Sequence, residues 1–339
     1  MKEIIYAIFL SFFLCGLCGN AEAKKKKEVK KAIKREVQTP YDKLFKGKKA
    51  FTVNGLMKMH LMAGKVYAEF PIELLNRDLA LTSSIEDISD NGEGVVGQFA
   101  GRVNQFRFTL QDSMLQARLV RRYGVKNTGM GKNADQIIER SNTPGIFQSY
   151  KILAYTPDKK AVVVDMTELF LESSRLTNPF PSYAGNSLYG FVQRIHKFQS
   201  QRSELLGICG NDNSMSVRCN LGFNVDRLVL GSFMQAKDVP VSVTVNKILM
   251  LLPEDPMRPR LADSRIGVNA IIQTELPDVC QGIKTYYITK RWRIEPVDEI
   301  RYKQGEMVDV KKPIVFYIDT LMPDSWIKYV KAGAEAWNA

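Results

Sequence analysis

The feature that most constrains the fold of this chain is an alternation of apolar and polar residues with a period of two. The clearest run has valines at every second position: Val239, Val241, Val243 and Val245. Successive side chains of a strand point to opposite faces, so this pattern is typical of a strand that buries one face. Pro240 lies inside the run, and proline is tolerated there only where its side of the strand lacks a partner.

The same alternation recurs on both sides of short turns, which predicts antiparallel hairpins. The predicted pairs are Leu56–Leu61 with Val66–Phe70 around Ala63-Gly64, Phe106–Leu110 with Leu115–Leu119, and Tyr150–Tyr155 with Ala161–Asp165. Helical patterns are few and lie at Thr167–Ser173, Phe191–Phe198 and the C-terminus. We therefore expect a mainly β fold of antiparallel sheets, sandwich or barrel-like, with few short helices.

The last residues change to an α/β pattern. Pro313–Ile318 is a continuous apolar run, which is typical of a strand buried on both faces. Pro323 and Asp324 suit the first turn of a helix. The apolar face of this helix would carry Trp326, Val330, Gly333 and Trp337. We interpret residues 306–339 as the first strand and helix of an α/β-type domain; the alternative is a terminal helix that packs on the β body as a clasp.

The N-terminus has the pattern of a targeting segment. Lys2 precedes the apolar run Ile4–Leu17, and Ala21-Glu22-Ala23 supplies the small residues of a cleavage site. The apolar run is shorter than the roughly 20 residues of a membrane span. We expect a signal peptide at 1–23, then a basic linker at 24–40, export to the periplasm, cell surface or medium, and no transmembrane span after cleavage. The alternative is an uncleaved anchor.

The net charge of +12 is unevenly distributed. Eight Lys and Arg residues crowd into positions 24–35 beside a single acidic residue, Glu28. The rest of the chain is therefore only mildly basic, and we expect no nucleic-acid partner.

The cysteines fit export but leave their pairing open. Cys209 and Cys219 bracket a turn-rich stretch between short apolar runs, where a disulfide could join two strands in an oxidising compartment. The alternative is two unpaired thiols, because spacing does not establish disulfide geometry. In either case Cys280 is expected to be free.

Catalytic chemistry is hard to find in the sequence. The two histidines, His60 and His196, lie far apart, and a catalytic zinc needs three clustered protein ligands. His60 shares the polar phase of its strand with Lys58, which predicts a side chain in solvent. Neither H-E-x-x-H nor G-x-S-x-G occurs. Gly92–Gly97 matches G-x-G-x-x-G, but strand alternation follows it, so we expect a turn. We assign no catalytic, metal or cofactor residue, and expect the chain alone to be inactive.

Several motifs in fixed order resemble one known family. They are Gly64–Pro71 with Leu74–Asp78, Ser89–Glu93, Val239–Pro253, Met257–Arg260, Ala262–Gly267, Arg291–Pro296 and Lys311–Asp319. Together they resemble the region that precedes the catalytic domain in large secreted bacterial zinc-dependent metalloproteases, which carry two domains of unknown function ahead of a metzincin-like peptidase domain. The sequence departs from that family at Val268-Asn269, where an aromatic pair is usual.

The resemblance implies a domain plan and a partner. It implies a small β domain at 41–90, a larger antiparallel β domain at 91–305, and the truncated start of a metallopeptidase domain at 306–339. Zinc is then expected only in the missing catalytic domain, and the partners are that domain and its protein or peptide substrate. The implied role is to support, target or regulate the peptidase. The alternative is a free-standing envelope β-rich binding module without enzymatic activity.

The segment Met257–Gly267 carries the remaining candidate residues. Arg258, Arg260 and Arg265 could make bidentate contacts with carboxylates of an adjoining domain or of a substrate. The alternative is an exposed, proline-stiffened connector in which Asp263 pairs with one arginine locally.

Overall fold

The computed structural model describes residues 38–336, except 101–102, 121–125, 128–135, 138–139, 174–175, 181–183, 188–189, 230–232 and 277–283. The predicted signal peptide and residues 24–37 of the predicted linker lie outside the described residues, as do Cys280 and Trp337.

Strands dominate the described chain. They are β1 (Phe51–Val53), β2 (Lys58–Met62), β3 (Lys65–Pro71), β4 (Asp78–Ile88), β5 (Asn104–Gln111), β6 (Met114–Val120), β7 (Lys126–Asn127), β8 (Gly145–Tyr155), β9 (Ala161–Asp165), β10 (Ala184–Ser187), β11 (Gly190–Asn211), β12 (Ser214–Val229), β13 (Phe233–Leu251), β14 (Ala270–Leu276) and β15 (Lys284–Thr289). The helices are α1 (Pro40–Phe45), α2 (Thr167–Leu171), α3 (Glu299–Lys303) and α4 (Asp324–Glu335), with a 3₁₀ turn at Ile72–Leu74.

Twelve of these strands form one antiparallel sheet. Its order is β1-β2-β3-β9-β8-β6-β5-β4-β13-β12-β11-β10. A separate three-stranded sheet has the order β15-β14-β7, in which β14 and β7 run parallel. The expectation of a mainly β, antiparallel fold with few short helices is therefore confirmed.

The three predicted hairpins are confirmed and correspond to β2–β3, β5–β6 and β8–β9. The β2–β3 turn shows why local sequence was sufficient. Ala63 and Gly64 both have positive φ, 51° and 70°. Two consecutive positive φ values are those of a type I′ turn, whose twist matches that of the flanking strands.

The long strands β11 and β13 show how pairing decides ambiguous segments. The predicted helix at Phe191–Phe198 is wrong, because this segment is part of β11 and pairs with β12, with His196 opposite Val225. Ladder hydrogen bonds along that pairing outweigh a weak helical periodicity. In β13, pairing with β4 covers only Val243–Leu251. Pro240 therefore lies where the β4 side has no partner strand, as proline requires.

The two segments predicted as separate β domains, 41–90 and 91–305, share one sheet and one core. β3 pairs with β9, and β4 lies between β5 and β13. The main core combines residues from both segments, including Phe70, Leu79, Phe106, Phe108, Leu115, Val164, Phe170 and Val217. The boundary near residue 90 therefore does not separate two independent folded units.

The β1–β2 loop closes over the tip of the β11–β12 hairpin. The Leu56 N–H donates to the Asn211 carbonyl at 2.7 Å. A Cβ atom at Gly55 would lie 2.7 Å from that same oxygen, so only glycine fits there. The sheet therefore curves so that the β1–β2 loop contacts the β11–β12 hairpin.

A second hydrophobic core packs against β12 and β13. It includes Ile85, Phe180, Leu221, Phe223 and Val243.

The predicted Cys209–Cys219 disulfide is not formed. In the β11–β12 hairpin Cys209 lies opposite Ser216, whereas Cys219 lies opposite Leu205. The two cysteines are free: Cys209 is exposed and Cys219 is buried in the second core. Their side chains lie in different environments because the hairpin register places them on different faces.

We expect the two thiols to differ strongly in reactivity. Burial raises the pKa of Cys219 to about 11, so little thiolate forms near neutral pH. Iodoacetamide at pH 7.5 should label Cys209 in the folded chain and Cys219 only after unfolding in urea. Peptide mapping by mass spectrometry measures both. A bridged 209–219 peptide, or equal labelling of the two cysteines before unfolding, would contradict this placement.

The C-terminal prediction is half confirmed. Helix α4 forms at Asp324–Glu335. The predicted buried strand at Pro313–Ile318 does not form: the segment is without strand structure, and Phe316 and Tyr317 are 67% and 93% exposed. A strand apolar on both faces needs neighbours on both edges, and no described strand pairs with it. An α/β-type domain that begins with this strand and helix, predicted for residues 306–339, is therefore not shown by the described chain.

Candidate interaction surface and buried polar clusters

We call residues 252–336 the C-terminal arm. Of its described side chains, none is buried. Many large apolar side chains in it are more than half exposed: Leu261, Ile266, Ile272, Tyr287, Trp292, Ile294, Val297, Ile300, Tyr302, Met307, Val315, Phe316, Tyr317, Leu321, Trp326 and Tyr329. A continuous segment with this much exposed apolar surface is a candidate interaction surface.

The arginine segment runs beside strand β15 of the arm. Arg265 pairs with Asp263 through two hydrogen bonds, one of 2.6 Å, as the connector alternative predicted. Arg258 and Arg260 are exposed, and their backbone carbonyls accept from Arg291 and Thr289 respectively. The structure thus leaves Arg258, Arg260 and Arg265 exposed and Asp263 partly exposed, and contacts of these residues with an adjoining domain stay a prediction.

A buried carboxylate lies inside the Gly92–Gly97 turn, where sequence analysis expected only a turn. The turn is confirmed, and strand β5, not a helix, follows it. The Glu93 side chain is fully buried. Its carboxylate accepts from His196 Nε2 at 2.8 Å and from Arg227 Nε at 2.9 Å, and Arg194 Nε lies 3.3 Å away. Arg227 also pairs with Asp90. This cluster ties the turn to β11 and β12.

The Phe180 ring stacks on His196, one of the partners of the Glu93 carboxylate, with 4.3 Å between the ring centroids. Burial lowers the pKa of His196, although the Glu93 carboxylate opposes that shift. The positive charges of Arg194 and Arg227 lower the pKa of His196 further.

The lowered pKa of His196 predicts how stability depends on pH. In the unfolded chain the imidazole takes up a proton near pH 6.5, whereas in the folded chain it does so only at lower pH. This group should therefore reduce the free energy of unfolding as the pH falls below about 6.5. Urea unfolding gives the free energy of unfolding of the parent and of the His196→Gln variant. The difference between these two free energies should become smaller from pH 7.5 to pH 5.5. A difference that grows over that range would contradict the shift.

The second histidine lies in another buried cluster, and the expectation that it faces solvent is wrong. His60 is 5% exposed because Phe45 of α1 packs on its ring, with 4.4 Å between centroids. His60 Nε2 lies 2.9 Å from Glu69 Oε1, and Nδ1 lies 2.8 Å from Thr52 Oγ1. Helix α1, which precedes β1, provides the cover that strand alternation by itself cannot reveal.

Glu69 gathers three donors. Tyr41 donates its hydroxyl proton to Oε1 at 2.6 Å, and the Lys58 ammonium lies 3.3 Å from the same oxygen. Burial by itself raises the pKa of Glu69, but the hydrogen bonds from His60 and Tyr41 and the charge of Lys58 outweigh it and lower the pKa. Burial and the Glu69 carboxylate raise the pKa of Tyr41. Glu69 is therefore ionised, and Tyr41 keeps its proton.

An open cleft of about 830 Å³ begins at this cluster. Tyr41, Lys58 and Glu69 form its polar end, and the lining continues over Leu56, Met57, Pro71, Ile72 and the Thr156–Ala161 turn.

The described residues contain neither a metal-ligand cluster nor a helix that could span a membrane. No group of three or more His, Cys, Asp or Glu side chains in them is arranged to hold a metal ion. None of the described helices is both long and apolar enough to cross a membrane.

The geometry defines a class: an antiparallel β protein whose two sequence segments build one sheet and whose C-terminal arm is uncovered. Residues 97–297 match the model of a domain of unknown function, DUF5117, and residues 38–88 match a second, DUF5118. The first match spans more than half of the 339 residues, so the chain belongs to the DUF5117 family. The expectation of two domains of unknown function is thus confirmed. No curated protein and no solved structure shows significant similarity to the chain.

Proposed function

We propose that this chain is the non-catalytic N-terminal part of an exported zinc-dependent metalloprotease and that its C-terminal arm binds the peptidase domain. The observation that carries the proposal is the arm itself. Its described side chains include none that is buried, although large apolar residues recur throughout it.

The physical argument rests on how costly such a surface is. Monomeric proteins rarely leave apolar patches larger than a few hundred Å² in water, and larger ones mark interaction surfaces. In the β14–β15 hairpin, Ile272 and Tyr287 face each other and are 61% and 51% exposed. Aromatic side chains such as Trp292, Phe316 and Trp326 are also the type most enriched at interfaces. A partner that covers the arm would remove these apolar side chains from water.

The identity of the partner is supported by where the resemblance falls. The motifs Met257–Arg260, Ala262–Gly267, Arg291–Pro296 and Lys311–Asp319 all lie within the arm. In the resembling metalloproteases these motifs lead into the peptidase domain. Arg258 and Arg260, exposed on the arm, are suited to bind carboxylates of such a domain in a bidentate manner.

The test begins with the gene. An open reading frame continuing past residue 339 into H-E-x-x-H is expected. That downstream domain, produced separately, should bind the 339-residue chain, and hydrogen exchange should slow at residues 307–336 upon binding. Phe316→Ser with Tyr317→Ser should weaken binding by at least about tenfold. Phe51→Ser, which alters a residue 60% exposed on β1 outside the arm, is the matched control and should leave binding unchanged.

Two outcomes would overturn the proposal. One is a stop codon without any neighbouring peptidase frame, which favours the free-standing binding module. The other is slow exchange at residues 307–336 in the isolated monomer, which would mean that α4 already packs as a clasp on the β body.

A further inference from the structure

The Thr52–His60–Glu69 chain of hydrogen bonds has a defined direction. Glu69 is ionised and accepts only, so His60 Nε2 must carry the proton of the 2.9 Å contact. In the neutral imidazole the other nitrogen, Nδ1, is then an acceptor. The Thr52 hydroxyl consequently donates its proton to Nδ1 across 2.8 Å. A hydroxyl, an imidazole and a carboxylate are thus ordered as nucleophile, base and orienting group.

The register of the sheet produces this order. Thr52 lies directly opposite His60 in the β1–β2 pairing, and Glu69 lies opposite Lys58 in the β2–β3 pairing. All three side chains therefore project from the same face of neighbouring strands. Phe45 and Tyr41 of α1 lock the histidine and the carboxylate, so the base is held in one orientation.

The three groups differ in their access to solvent. His60 and Glu69 are buried, whereas Thr52 is exposed. β1 is the terminal strand of the twelve-stranded sheet. Its outer edge therefore offers backbone N–H groups beside Thr52, which are the donors that an oxyanion uses. The 830 Å³ cleft begins at Lys58 and Glu69, and neither Thr52 nor His60 is among its lining residues.

We propose that Thr52 is an activated nucleophile for acyl transfer from esters, with His60 as its general base and Glu69 as the residue that positions His60. This goes beyond the proposed function, in which the chain is non-catalytic only with respect to peptide hydrolysis by a zinc centre in another domain. The class of substrate is a short acyl ester that reaches the exposed Thr52 hydroxyl from solvent.

The chemistry balances within the chain and its substrate. Thr52 Oγ1 attacks the ester carbonyl while its proton passes to His60 Nδ1. The C–O bond to the leaving alcohol then breaks, and the alkoxide takes that proton from Nδ1. Water then gives a proton to Nδ1 as its oxygen attacks the acyl carbon. The C–O bond to Thr52 breaks, the carboxylic acid leaves, and Thr52 Oγ1 recovers the proton from Nδ1. Throughout these steps Glu69 accepts a hydrogen bond from the Nε2–H group of His60 and stabilises the transient imidazolium.

The test uses p-nitrophenyl butyrate and a fluorophosphonate probe on the full chain. The parent should release p-nitrophenol with an acyl group trapped on Thr52, located by mass spectrometry. Thr52→Val should abolish both signals, and Thr52→Ser should retain them. Thr52→Ser keeps the hydroxyl that donates to His60, so it should not change the melting temperature by more than about 2 °C. Thr52→Val leaves the buried His60 Nδ1 without this donor, so circular dichroism of that variant must show the parent fold before its labelling is compared. Thr274→Val, which replaces a threonine hydroxyl by a methyl group on β14, is the matched control.

The role of His60 has its own readout. His60→Gln should lower the acylation rate at least about 100-fold, the size of a general-base contribution. Absence of labelling above the Thr52→Val background overturns the proposal. Labelling of Thr52 that is unaffected by His60→Gln overturns the assignment of the base, and neither result bears on the arm.

Discussion

A chain that starts at residue 89 is expected not to fold, although it contains the whole DUF5117 match at 97–297. It lacks β4, the strand that pairs with β5 on one side and β13 on the other. Both of those strands would be left with unpaired backbone edges. The core would also lose Leu79, Leu81 and Ile85, each worth about 2–5 kcal/mol when truncated. Those losses are comparable to the whole stability of an ordinary domain.

The measurement is circular dichroism and thermal unfolding of residues 89–339. A chain ending at Glu254 is the matched control. It removes a similar number of residues, but nearly all of them belong to the arm, whose described side chains include none that is buried. That control should melt cooperatively within about 2 °C of the parent and aggregate less. A folded 89–339 chain with a cooperative transition would show that the two segments are separate domains after all.

Replacing Glu93 by alanine is expected to destabilise the chain by about 3–5 kcal/mol, the usual cost of removing one partner from a buried ion pair. Glu93 is fully buried, and its removal leaves Arg194 and Arg227, each about three-quarters buried, with one carboxylate fewer. His196 also loses the Glu93 oxygen that lies 2.8 Å from its Nε2 beneath the Phe180 ring. Urea unfolding measures the change.

The same region provides a control for this substitution. Glu86 pairs with Arg218 of β12 at 2.6 Å, but both side chains are about half exposed. Surface pairs contribute about 0–1 kcal/mol, so Glu86→Ala should cost little. Glu93→Gln, which keeps the shape and loses the charge, should lie between the two. Equal effects of Glu86→Ala and Glu93→Ala would mean that the Glu93 cluster is open to water in solution.

Local sequence determined the parts of this protein that depend on neighbouring residues. Strand periodicity and turn chemistry identified the hairpins β2–β3, β5–β6 and β8–β9, because each is closed by its own turn. The valine run at 239–245 likewise identified the centre of β13. Helices α2 and α4 were found for the same reason, since their signals lie within their own few residues.

The tertiary structure decided what depends on distant partners. The sequence could not show that β3 pairs with β9, almost 100 residues later, or that β4 is inserted between β5 and β13. It placed His60 in solvent because the alternation of β2 contains no information about α1, which covers it. Glu93 looked like one residue of a flexible turn until β11 and β12 brought His196 and Arg227 to it. Periodicity determines which face of an element is apolar, whereas only the assembled sheet determines which polar group is taken out of water and what pairs with it there.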